Sequence, residues 1–276
     1  MTQAVPVSPS PVNPPATPTA DAAAHGAAPA APVARVAKPR PSRRRAEHNH
    51  PTLQSGRPED RLSIRLLQAV DVCFARIYHR VNVLSPLRLP KHGPAILICN
   101  HVSGLDPMLI QSVCPRLIVW MMAKEYYDIP VLRTIFRTVE AIPVDRGGRD
   151  LAATRAALRA LEAGRILGVF PEGKIETSHQ LLPFQTGVAL MAIKAGVPVY
   201  PAYLDGTQRG KAMLHAFLYP NVASLAFGPK VETGAGGSTS KEVLQAVTEL
   251  FTESVEGLRG LTDRSKPGRW PPEDRP

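Results

Sequence analysis

No window of this sequence approaches the roughly 18 to 20 consecutive apolar residues that a spanning helix requires, so any meeting with a membrane is expected at its surface. Cysteine is scarce as well. Cys73, Cys99 and Cys114 are odd in number and widely spaced, which argues against a disulfide framework or a cysteine-based metal cluster and fits a reducing compartment. No His-Glu-x-x-His segment and no Gly-x-Ser-x-Gly elbow occurs, so neither a metal-dependent nor an elbow-type serine mechanism is indicated. No helix-turn-helix, zinc-finger or aromatic-basic RNA signature is present, and nucleic acid is not expected as a partner. The opening "MTQAVPVSPSP" lacks a basic end followed by an apolar region, so no cleaved leader is expected.

Proline, by contrast, is plentiful and unevenly spread. Twelve of the 29 prolines lie in residues 1–58, a stretch of Ala, Pro, Ser and Thr with almost no aliphatic periodicity. Such a composition cannot bury enough surface to offset its ordering entropy, so 1–58 is expected to be a disordered arm. The arm holds seven Lys and Arg against two acids, within a chain whose formal net charge is +10. Much of that charge sits in "KPRPSRRR", residues 38–45. A run of this kind is either a solvated tail or an attraction for anionic lipid head groups.

Residues 59–262 read as one folded domain, with a mobile tail at 263–276. The domain opens with an amphipathic segment, 59–84. Leu62, Leu66, Ala69, Cys73 and Ile77 share a helical stripe widened by Leu67, Phe74 and Tyr78, and Arg61, Arg65, Arg76 and Arg80 lie opposite. A basic helix with a broad apolar face either packs on its own domain or lies in a membrane interface. An alternation follows. Strands are expected at 95–99, 117–121, 139–144, 165–170, 197–203 and 223–227, and helices at 107–114, 130–138, 149–163, 184–195 and 241–260. Gly164 closes the helix "RDLAATRAALRALEAG" as a C-cap. Strands apolar throughout, separated by helices, predict an α/β fold: a single domain with a largely parallel central sheet covered by helices, preceded by the amphipathic helix and the arm.

Ligands of such sheets collect beyond the carboxyl ends of the strands, where three unusual loops fall: "NHVSGLDP" (100–107), "PVDRGGRD" (143–150) and "FPEGKIETSHQLLPFQTG" (170–187). In the first, a neutral imidazole at His101 is suited to accept a proton from an alcohol if its other nitrogen is held. Asp106 is placed to hold it, and also to cap the helix that Pro107 opens. His101 and Asp106 lack a third metal ligand at a recognisable spacing, so no metal is expected. Ser103 is only two residues from His101, which leaves a hydroxyl of the substrate itself as the group to activate. Arg146 offers a planar, permanently charged fork suited to phosphate, and Lys124 is a second cation near the same edge. Glu172 lies in a Pro-Glu-Gly turn whose Gly173 allows close backbone approach to a ligand.

The order "NHVSGLDP", "AIPVDR", "FPEGK", "VPVYPAY" resembles the four sequence blocks of the glycerolipid acyltransferase family, typified by 1-acylglycerol-3-phosphate acyltransferases. The similarity runs from roughly residue 85 to 230, and the first and third blocks together are specific. The resemblance implies acyl transfer from a thioester, acyl-CoA or acyl carrier protein, to a lysophospholipid hydroxyl, with no cofactor beyond that co-substrate. It makes His101 the general base and Asp106 its partner. Arg146 would bind the acceptor's phosphate, Glu172 with Gly173 would shape the acceptor site, and Lys174 would stand in part for the arginine usual in the third block. Lys124 is a looser match, and Pro198 and Pro201 belong to the fourth block.

One departure concerns the substrate. The family's third block commonly reads Phe-Pro-Glu-Gly-Thr-Arg, and here Lys174 and Ile175 stand in the last two places, so a guanidinium is missing. Within enzymes, a remodelling transacylase drawing its acyl group from a phospholipid is the alternative. A non-catalytic lipid-binding protein of the same fold is the competing class, against which the intact His101/Asp106 pair argues. Either way the expected setting is an anionic membrane surface, peripheral and on the cytoplasmic face.

Overall fold

The computed structural model describes Leu53 and residues 56–146, 150–211, 213–234 and 236–264. Most of the expected arm, the two glycines after Arg146 and the expected tail beyond residue 264 therefore lie outside the described residues.

Seven strands form one sheet in the order β1-β7-β6-β2-β5-β3-β4. They are β1 (Asn82–Val83), β2 (Ala95–Cys99), β3 (Ile118–Ala123), β4 (Ile142–Val144), β5 (Ile166–Val169), β6 (Val199–Asp205) and β7 (Ser224–Phe227). The run β6-β2-β5-β3-β4 is parallel throughout; β7 pairs antiparallel with β6 and parallel with β1. The sheet is thus largely parallel, as expected from its apolar strands. Every residue of β2 is buried, and the pleat sends them alternately to two cores. Ile96 and Ile98 join one core and Ala95, Leu97 and Cys99 the other.

Helices cover both faces. On the first lie α5 (Leu151–Glu162), α6 (Gly187–Ala195) and α8 (Lys241–Glu256), whose Ala153, Ala157, Ala160, Ala189, Ala192 and Phe251 meet the sheet. Small alanines let the helix axes approach closely. Asp150 starts α5 by accepting from the N–H groups of Ala152 and Ala153 at 3.0 and 2.9 Å, and Gly164 follows its end at φ +74°. On the other face α2 (Asp106–Gln111) contributes Leu109 and Ile110. Short helices α3 (Lys124–Tyr127) and α7 (Met213–Phe217) and the strand β1 had no counterpart among the expected elements. α4 (Pro130–Thr138) falls at its expected bounds, and the final helix divides into α8 and α9 (Arg259–Arg264), so helix extends past residue 262.

The amphipathic segment is α1 (Leu62–Cys73), continued by a π-helical turn, Phe74–Tyr78. Ile64, Asp71 and Ala75 are its buried side. Of the two orientations left open, the apolar stripe takes the outward one: Leu62 is 71% exposed, Leu66 58% and Ile77 77%, with Val70 beside them at 69%. At its start the helix is moored by charge. Arg61 and Arg165 both pair with Glu140, a buried carboxylate held at φ +58°.

Asp71 sits on the buried side with neither carboxylate oxygen hydrogen-bonded, and burial pushes its pKa up to about 7. In the unfolded chain it ionises near 4. The folded state therefore binds the proton more tightly, and stability is lost as pH rises from about 4 to 7. Asp71→Asn is expected to melt higher than wild type by a margin that widens over that range and is flat above it, worth on the order of 2 kcal/mol or more. Melting curves at pH 5 and pH 8 test this; a margin equal at both would refute it.

Candidate active site

Because β2, β5, β3, β4 and β6 run parallel, their carboxyl ends share one edge. The loops that begin at Asn100, Phe170, Lys124, Asp145 and Gly206 all leave from it. The connection after β2 leads to one side of that strand and β6 lies on the other, so the edge opens a crevice beside β2. His101 stands there, two residues beyond the end of β2.

His101 is buried, 8% exposed, and its Nδ1 lies 3.0 Å from Asp106 Oδ2. The same carboxylate oxygen accepts from the N–H groups of Val102 at 2.7 Å and Ser103 at 2.8 Å. With Nδ1 facing a carboxylate, the imidazole's proton is held there and Nε2 is left as the nitrogen that can accept. The expected cap role of Asp106 is corrected. Asp106 is already the first residue of α2, the N-cap position is Leu105, and the carboxylate makes no capping bond. It turns back to the loop because three donors converge there, which a single cap bond does not match.

Glu172 completes the fixing of His101 from the neighbouring strand. Its Oε1 accepts from the His101 N–H at 2.8 Å and its Oε2 from the Leu182 N–H at 3.0 Å. Burial raises its pKa, and those two N–H groups offset only part of the rise. Both oxygens are engaged with backbone, so Glu172 shapes the loop. Gly173 has φ +72°, where a side chain is strained, and a Cβ there would fall 2.2 Å from Gln185 Nε2. Its own N–H donates to the Phe170 carbonyl at 3.0 Å and is not free for an oxyanion. Lys174 is exposed and Ile175 half-buried.

The other expected cations stand farther along the edge. Lys124, half-buried, begins α3 directly after β3, and Arg146 is exposed beyond β4. With strands about 4.8 Å apart, β3 is about 10 Å and β4 about 14 Å from β2. The structure thus brings His101, Asp106, Glu172 and Gly173 together and sets Lys124 and Arg146 to one side.

Asn100, Phe170 and Glu176 lie within the conspicuous loops without a role read from the sequence, and Trp120 and Arg209 lie outside them. Phe170 stacks on the His101 ring at 4.0 Å between centroids, and Trp120 stacks on Phe170 at 4.8 Å. Asn100 clamps the ends of β2 and β6, donating to the Leu204 carbonyl at 2.9 Å and accepting from its N–H at 2.8 Å. Glu176 donates its N–H to the His101 carbonyl at 2.7 Å and pairs through its side chain with Arg209.

A sequence model of the family Acyltransferase matches residues 80–205, which contain the whole His101 loop and its supports. The chain carries, in residues 80–205, a segment of the Acyltransferase family. It is an enzyme of the acyltransferase class. It is 25% identical over 185 residues to 1-acyl-sn-glycerol-3-phosphate acyltransferase of Bacillus subtilis, covering 67% of this chain and 90% of that one. It is 31% identical over 159 residues to N-acylphosphatidylethanolamine synthase of Arabidopsis thaliana, covering 51% and 53%. It is 31% identical over 116 residues to the 1-acyl-sn-glycerol-3-phosphate acyltransferase of Limnanthes douglasii, of which it spans 41%. The fold matches the crystal structure of the 1-acyl-sn-glycerophosphate acyltransferase of Thermotoga maritima. The TM-score is 0.56 at 24% identity, covering 75% of this chain and 82% of that one.

In this acyltransferase the ring column depends on a glycine. A Cβ at Gly168 of β5 would lie 2.4 Å from Trp120 Cε3 and 2.6 Å from Ile118 Cγ2. Gly168→Ala is therefore expected to push Trp120 against Phe170 and Phe170 against His101. The expected result is a loss of about 1–3 kcal/mol of stability together with reduced turnover. A variant with unchanged melting temperature and turnover would show that β3 yields instead.

Proposed function

We propose that the protein moves an acyl chain from a thioester, acyl-CoA or acyl carrier protein, to the free hydroxyl of a lysophospholipid, with 1-acylglycerol-3-phosphate the favoured acceptor and phosphatidic acid the product. The observation that carries this is the His101 Nδ1–Asp106 Oδ2 contact at the sheet's ligand-binding edge. In the proposed reaction Nε2 takes the acceptor hydroxyl's proton as its oxygen forms a bond to the thioester carbonyl carbon. Collapse of the tetrahedral intermediate breaks the carbon–sulfur bond, and the thiolate leaves with the proton from the imidazolium. Asp106 stabilises the imidazolium while it lasts. Lys124 and Arg146 would meet the acceptor's phosphate.

His101→Ala tests it, with free thiol released from acyl-CoA measured with and without 1-acylglycerol-3-phosphate. Turnover is expected to fall about 10²- to 10⁴-fold with little change in melting temperature. A His101→Ala protein that kept a tenth of wild-type turnover would overturn the assignment.

The proposal includes how such a protein reaches its lipid. No helix among the described residues is long and apolar enough to cross a membrane. The outward stripe of α1 supports a surface contact, and it does not end with the helix. Phe74 stacks on Phe217 at 4.4 Å and the Tyr78 hydroxyl donates to the Leu218 carbonyl, which joins exposed Leu218, Tyr219 and Val222 to it. Arg65, Arg76 and Arg80 are exposed beside this apolar surface, a pairing suited to anionic lipid. Leu66→Glu with Ile77→Glu is expected to abolish co-sedimentation with vesicles containing phosphatidylglycerol, while salt weakens wild-type binding only in part. Unchanged binding by the double variant would place the membrane contact elsewhere.

A further inference from the structure

The loops after β5 and β6 are joined to each other, and to the backbone of His101, by a closed circuit of contacts. The His101 carbonyl accepts from the Glu176 N–H at 2.7 Å. The Glu176 side chain, 4% exposed, pairs with Arg209. Next to Arg209, the Gly210 N–H donates to the Val102 carbonyl at 2.9 Å, and one step farther the Gly104 N–H donates to the Lys211 carbonyl at 3.0 Å. The circuit returns to His101 through Val102. Its side-chain link is Arg209 with Glu176; the other contacts are backbone.

A guanidinium next to the base invites another interpretation, that Arg209 binds the acceptor's phosphate in place of the one missing at Ile175. The signs of the neighbouring charges decide against it. Arg209 pairs with Glu176, lies 3.6 Å from Asp205 and is acted on by Asp106 and Glu172 as well, against one neighbouring guanidinium, Arg259. A phosphate placed on this arginine would meet four carboxyl groups and would have to displace two of them. The guanidinium is engaged with the protein.

We propose that Arg209 is a positioning residue for the general base: by holding Glu176 it keeps the loops after β5 and β6 closed around His101, and so fixes where the imidazole meets the acceptor hydroxyl. This rests on the acyl-transfer function proposed above. Misplacing a reacting group by about an ångström costs up to about 10²-fold in rate without changing how substrates bind, so the effect belongs in kcat.

The test uses the full chain with oleoyl-CoA and 1-oleoylglycerol-3-phosphate on mixed micelles, comparing Arg209→Ala, Arg209→Lys, Glu176→Gln, the double variant Arg209→Ala/Glu176→Gln and His101→Ala. Arg209→Ala is expected to lower kcat about 10- to 100-fold, with both KM values within about twofold of wild type. Arg209→Lys should recover part of the loss, since an ammonium reaches one carboxylate but does not offer a fork. The double variant should be no worse than Arg209→Ala alone, because both changes cut one link. A raised acceptor KM with kcat kept would make Arg209 a substrate ligand and overturn the proposal. Additive losses, or a loss that matches the unfolded fraction in a melting curve, would overturn it too. Wild type and His101→Ala separate the levels. If wild type transfers no acyl group, the acyl-transfer function fails; if His101→Ala turns over, His101 is not the base; if His101→Ala is dead while Arg209→Ala is undiminished, the positioning role alone fails.

Discussion

A loop that leaves water must find a partner for each backbone N–H and carbonyl it buries, and the segment from Asn100 to Leu105 is such a loop. Its solution determines the site. Asp106 takes the N–H groups of Val102 and Ser103, Glu172 takes that of His101, and the loops after β5 and β6 supply donors for the carbonyls of His101 and Val102. Two buried carboxylates are thus doing the work of a missing sheet ladder. Once Asp106 is fixed by two backbone donors, its contact to Nδ1 costs the imidazole little further ordering. The demands of a buried loop and of an oriented base are met by one carboxylate.

Strand order makes this possible. β2 has β5 on one side and β6 on the other, so loops from three strands converge on His101, and the Asn100 amide ties β6 to β2 at the level where they begin. Gly168 belongs to the same arrangement. It leaves room for the Trp120 ring, and Trp120, Phe170 and His101 stack from β3 through β5 to β2. The imidazole is therefore held at its edge by Asp106 and on its face by an aromatic ring.

Much of this was legible in the sequence because its signals are local. "AILIC" reads as a buried parallel strand from its composition alone, and His101 and Asp106 lie within one loop, five residues apart. Partners distant in the chain were not legible. Glu176 and Arg209 are separated by 33 positions and Asn100 and Leu204 by 104, and only the adjacency of β6 to β2 brings them together. The orientation of α1 shows a second limit. Periodicity reveals that Leu62, Leu66 and Ile77 share a face, but the neighbouring face, with Ile64 and Ala75, is the one that fits the domain. The cap assigned to Asp106 failed for a related reason: its competing donors belong to a loop geometry that spacing does not contain.

Charge is divided along the edge in a way that bears on the proposed reaction. Around β2, β5 and β6 stand Asp106, Glu172, Glu176 and Asp205, with Arg209 bound among them. Lys124 and Arg146 follow β3 and β4, the strands two and three places from β2. Carboxylates beside the base repel a phosphate. An acceptor of the proposed kind has its phosphate and its free hydroxyl only a few bonds apart. Lying with its hydroxyl at His101 and its head group toward β3, it would turn its phosphate away from the carboxylates and toward the side on which Lys124 stands. The reverse orientation, head group toward β6, would put phosphate against the four carboxyl groups. For an acceptor of the proposed kind the unequal edge would favour one direction of binding before any specific contact is made, without the guanidinium that Ile175 replaces.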